Sequence, residues 1–160
     1  MAELTPLDEK LGVVLGLAQA AQDAAKRVAK LAAHDDIVKR LDKMLRDAEE
    51  TERRTLELVE GLEGKKSQIQ EKGRATKSDA AEMMAIWLRE DSDELDGFEF
   101  LTMAEAGELG HWEIVREMSE RAGDAAALEL AEWAIPIQER HKIFVRESSL
   151  ELAAEEASGR

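Results

Sequence analysis

Apolar residues recur three or four positions apart through most of this chain, and proline interrupts it only at Pro6 and Pro136. That spacing puts side chains on one face of an α-helix, so the sequence calls for long amphipathic helices and shows no strand-like alternation. Leu7, Leu11, Val14, Ala18, Gln22, Ala25, Ala29 and Ala32 define a first helix to about Ala33, with a small, mostly alanine core face. Pro6, just after Thr5, suits its first turn, where the missing N–H does no harm. A break at His34, Asp35 and Asp36, with an aspartate expected as N-cap, leads into a second helix on Ile37, Leu41, Leu45, Ala48, Glu52, Val59 and Leu62, ending around Gly61 to Gly64.

The next thirty or so residues lack a sustained seam. They hold a polar stretch from Lys65 to Ser78 and a short amphipathic helix, roughly Asp79 to Arg89, carrying Met83, Ile86 and Trp87. A third long helix is expected from about Asp96 to Arg121. Gly123 and Asp124 then read as a C′ glycine and the N-cap of a fourth, which extends towards Glu156. Short first-to-second and third-to-fourth connections make antiparallel hairpins, and the long middle segment can traverse the length of the molecule. The expected fold is all-α, an antiparallel four-helix bundle with a long crossover containing a short helix, in one domain over residues 1–160.

Chemistry concentrates on a Glu-x-x-His pair in the third helix. The stripe Leu101, Ala104, Glu108, His111, Val115, Met118 sets Glu108 and His111 among apolar residues, facing whatever the helix packs against. An unpaired buried carboxylate costs several kcal/mol, so Glu108 requires a partner, a proton or a metal. His141 on the fourth helix points inward, one turn after Pro136, and Gln22 and Glu52 lie on the inward stripes of the first two helices. With no cysteine, any metal must be held by carboxylate and imidazole, which suits iron or manganese. The candidate metal ligands are Glu52, Glu108, His111 and His141. The competing reading has Glu108 and His111 hydrogen-bonded to each other or to neighbours, His141 as a satisfied core histidine, and Glu49 and Glu52 paired with Arg46, Arg53 and Arg54.

Charge excludes other classes. The 22 basic and 36 acidic residues give a net charge of −14, which repels nucleic acid and anionic membranes and favours cations or basic partners. No apolar run approaches the ~18 residues needed to span a bilayer, and Glu3, Asp8 and Glu9 stand where a signal peptide is basic. A cytoplasmic protein is expected. No nucleophile constellation or glycine-rich phosphate loop marks a hydrolase or a nucleotide site, and no organic cofactor is implied.

Two helical hairpins, a crossover with a short helix, and inward carboxylates and histidines resemble the ferritin-like superfamily. More narrowly, Glu49-Glu50-Thr51-Glu52 and His111-Trp112-Glu113-Ile114 resemble the YciE/YciF group of ferritin-like stress proteins. The resemblance implies a homodimeric bundle, a link to stress responses and a dinuclear metal centre. Ferritin-like di-iron sites draw a Glu from each of two helices and Glu-x-x-His from each of the other two. Here the first helix has no inward Glu, the second has Glu49-x-x-Glu52 and the fourth has Gln138-x-x-His141, which leaves a degenerate mononuclear site or none. The rival class is a metal-free helical scaffold that works by dimerising or by docking another protein.

Overall fold

The computed structural model describes residues 2–159. Among them there are five helices and no strand: α1 (Pro6–Ala29), α2 (Asp35–Glu60), α3 (Lys66–Trp87), α4 (Glu94–Ala122) and α5 (Ala125–Ala157). No helix among the described residues is long and apolar enough to cross a membrane.

Local chemistry sets most boundaries. At the start of α1 the Thr5 hydroxyl accepts from the Asp8 N–H at 3.1 Å and the Asp8 carboxylate accepts from the Thr5 N–H at 2.8 Å, a reciprocal cap completed by Pro6. Asp93 and Asp96 close α4 in the same way, so that helix begins at Glu94, slightly earlier than its apolar pattern indicates. Gly123 sits at φ 68°, the left-handed conformation that ends α4, and the Asp124 side chain accepts from the Ala127 N–H at 3.0 Å to start α5. Both roles match the sequence reading.

Three expectations need correction. The helix α1 stops at Ala29 and not near Ala33, because the Ala33 N–H is taken by the Glu94 carboxylate at 2.8 Å. The N-cap of α2 is His34, whose ring faces Glu94 and Glu155, while Asp35 and Asp36 occupy the first turn and complement the helix dipole. The largest change is α3: in place of a polar stretch and a short helix from about Asp79, one helix of 22 residues starts at Lys66. Glycines explain it. Gly12 and Gly16 on α1 meet Ile69, Lys72, Gly73 and Thr76 on α3 so closely that a Cβ on Gly16 would lie 2.3 Å from the Gly73 carbonyl oxygen. Backbone meets backbone there with few apolar side chains between, and Ile69 alone supplies a large buried anchor for this stretch.

The contacts also fix directions. Gly12 beside Ile69 and Gly16 beside Gly73 make α1 and α3 parallel. Val28 against Gly97 makes α4 antiparallel to α1, with Asp47 against His141 and Arg54 over Trp133 doing the same for α2 and α5. Thus α3 returns along the outside of α1 from the end of α2 to the start of α4, and α4 and α5 form a hairpin. The buried apolar residues divide into two clusters, one around Leu11, Val59, Ile69, Trp112 and Ala131 and the other around Val28, Leu41, Phe98, Phe144 and Val145.

Candidate functional site

Between the two clusters each of α1, α2, α4 and α5 carries polar residues on its inner face. They are Gln19 and Gln22 on α1, Asp47, Thr51, Glu52 and Thr55 on α2, Glu105 and Glu108 on α4, and Gln138 and His141 on α5. Thr51 and Thr55 are satisfied within their own helix, donating to the carbonyls of Asp47 and Thr51. Glu52 is closed by α1: its two oxygens accept from the Gln22 and Gln19 side-chain amides, each at 2.8 Å.

His141 joins α5 to its neighbours. Its Nε2 lies 2.8 Å from Asp47 Oδ2, and its Nδ1 is 3.7 Å from Glu105 Oε2, within ion-pair reach but too long for a hydrogen bond. Burial opposes a charged imidazole, and the two carboxylates outweigh it, so the pKa of His141 is raised above the ordinary 6.5. Glu108, one turn beyond Glu105 on α4, is 4% exposed, and its Oε2 has no partner. Burial, reinforced by the Glu105 charge, pushes the Glu108 carboxyl well above its ordinary range. Glu105 Oε2 and Gln138 Oε1 are also buried without a hydrogen bond. Such orphaned atoms are uncommon in folded proteins, and here they gather in one layer.

A groove of about 430 Å³ opens on this layer between α1, α3 and α4, with Glu105, Glu108 and His111 in its lining. His111 is half-buried, its Nδ1 is without a partner, and burial together with the Lys10 charge lowers its pKa. On the opposite side of the layer, Asp47 and His141 line a second cavity of about 240 Å³ between α2 and α5.

The four residues singled out as metal ligands are therefore distributed. Glu108 and His111 share the groove, His141 turns to Asp47 and Glu105, and Glu52 is held by two amides. Among the described residues no group of three or more His, Asp or Glu side chains is disposed to hold an ion. Sequence reasoning missed Asp47 and Glu105. For Glu105 a signal existed: the buried stripe of α4 is Leu101, Glu105, Glu108, Trp112, Val115, Ser119, offset from the expected one at Glu105, Trp112 and Ser119. Requiring Trp112 to be buried selects that stripe and turns His111 to its edge. No such signal marked Asp47, which lies beside the apolar face of α2.

The arrangement sets two carboxylates, Asp47 and Glu105, against one imidazole, with a third buried carboxyl, Glu108, one turn further along α4. The chain matches no known family model, curated protein or solved structure.

Proposed function

We propose that this protein is a ferritin-like bundle whose mid-layer takes up a divalent transition metal, iron or manganese. The observation that carries the reading is the pair of buried oxygens on Glu105 and Glu108 that make no hydrogen bond, the first of them 3.7 Å from His141 Nδ1. The donor chemistry fits such an ion, since carboxylate and imidazole are its ordinary ligands, and a cation would offset charge at Glu105 and Glu108, whereas Asp47 has Lys43 at 3.6 Å. Glu105, Glu108 and His141 would hold it, with Asp47 orienting His141 from the far nitrogen. His111 lies at the edge of the same groove as a further donor, and Glu52 would join only on releasing Gln19 and Gln22. The helix directions support the superfamily reading, because two hairpins joined by a helix running the length of the bundle is the arrangement expected of it. Exposed Met83, Ile86 and Trp87 on α3 support a homodimer, which light scattering would test.

The second reading is a metal-free helical scaffold. It is favoured by the closed state of Glu52 and by the lack of three convergent donors among the described residues. Elemental analysis separates the two: protein purified without chelator, then incubated with ferrous or manganous ions and desalted, should retain metal. Glu105→Ala and His141→Ala should lower that content. A wild type that stays metal-free through the incubation overturns the metal reading in favour of the scaffold.

A further inference from the structure

The helices that touch backbone to backbone at Gly16 and Gly73 enclose, one to two turns further on, the groove of about 430 Å³. That is within the range of small-molecule pockets. Its walls are apolar: Leu17, Ala20 and Ala24 from α1, Met84 from α3, and Phe100 and Met103 from α4. On α1 the lining is mostly alanine, Ala20, Ala21 and Ala24, which leaves the space open. At its polar end are two carboxyl groups, Glu105 and Glu108, 3% and 4% exposed, each with an oxygen lacking a hydrogen-bond partner. At the rim, Lys77 is drawn to Asp23 at 3.8 Å, so it does not serve the groove floor.

We propose that this groove binds a small amphipathic organic cation, a primary ammonium group carrying an apolar body of roughly six to ten carbons. The ammonium, with three donors and no acceptor, supplies the hydrogen bond that Glu108 Oε2 lacks and a second for Glu105 Oε2, whose one cationic neighbour is the His141 ring at 3.7 Å. The hydrocarbon replaces water along the alanine, methionine and phenylalanine walls. A carboxylate ligand would meet like charge at the floor, and a neutral alcohol would fill the walls with at most one donor for two acceptors. This inference does not rest on the metal reading. The ammonium and a metal ion are alternative occupants of the same carboxyl oxygens, and each is tested without the other.

The experiment is titration calorimetry on the full chain in the presence of a chelator, with n-octylammonium, 1-octanol and octanoate as probes, each below its aggregation concentration. Octylammonium should bind one per chain and at least about tenfold more tightly than octanol, as a charge-assisted hydrogen bond at a buried acceptor requires. Octanoate should not bind. Glu108→Gln, nearly the same in shape, should bring octylammonium down to the level of octanol. Ala80→Phe, which fills the groove from α3, should abolish binding of both. Equal binding of octylammonium and octanol, no octylammonium binding up to millimolar concentration, or unchanged octylammonium affinity in Ala80→Phe would each overturn the proposal. Because the chelator excludes metal, failure here leaves the elemental analysis untouched, and a metal-free protein leaves this titration intact.

Discussion

Replacing Gly16 with alanine tests the contact on which the position of α3 depends. The new methyl would lie 2.3 Å from the Gly73 carbonyl oxygen and 2.7 Å from the Thr76 Cβ, and the first of these is backbone that cannot swing aside. Restoring ordinary van der Waals contact requires the two helices to part by roughly 1 Å, which forfeits a large part of the dispersion energy along the interface. Overpacking of this kind costs about 1 to 3 kcal/mol, against a gain of about 1 kcal/mol from the better helix propensity of alanine. The net change should be a loss of up to about 2 kcal/mol, which lowers Tm by up to roughly 8 °C in a chain of this size. Gly110 provides the opposite sign: it lies inside α4 with nothing within 4 Å of an added Cβ, so Gly110→Ala should raise Tm by roughly 2 to 4 °C. Thermal melts followed by circular dichroism, with hydrogen exchange across Lys66 to Trp87, give both numbers. If Gly16→Ala stabilises the protein as Gly110→Ala does, α3 does not pack on α1 through these glycines and the reasoning fails.

Glu108→Gln should stabilise the protein at neutral pH. Burial and Glu105 raise the Glu108 carboxyl above its ordinary 4.5, so the native state holds a proton the unfolded chain releases; wild-type stability then falls as pH rises from about 4.5 through the raised value, and the glutamine variant should flatten that fall in denaturant titrations. A variant with the wild-type pH profile would show that Glu108 is not the group responsible. His34 has the opposite origin: Glu94 at 2.8 Å and Glu155 at 3.2 Å raise its pKa above 6.5. Its contribution is complete below pH 6.5 and is lost as pH rises through the raised value, so His34→Gln should lower Tm in mildly acidic buffer and change little in alkaline buffer.

Four of the five helices are legible because their burial depends on large apolar side chains at helical spacing. The capping residues Thr5, Asp93 and Asp124 add boundaries that hydrogen-bonding chemistry can anticipate. The first half of α3 is not legible by the same rule. Its contact with α1 uses Gly12, Gly16 and Gly73, and a glycine face has no hydrophobic period to detect. The site was legible in part: Glu108 is buried as its stripe requires, and His141 is inward. Helical spacing alone leads through Ala104 and His111 where the bundle buries Glu105 and Trp112, and so it misses the α4 carboxylate that faces His141. Glu52 shows the limit of the pattern. Whether an inward glutamate is open or closed depends on two glutamines from another helix, and only tertiary structure brings Gln19 and Gln22 to it.

The polar layer is tolerable because of where it lies. Apolar clusters on both sides hold α1, α2, α4 and α5 together along their length, so the fold does not depend on the residues at its midpoint. Replacing buried polar groups by well-packed apolar side chains is often neutral or stabilising, so stability alone gives no reason to keep a buried Glu108 oxygen without a partner. Glu52 shows that this bundle can satisfy a carboxylate with neutral amides. Glu52 is complete in the folded chain, whereas Glu108 keeps a buried oxygen without a partner. A cation in the groove between α1, α3 and α4, metal ion or ammonium, is the occupant proposed to complete it.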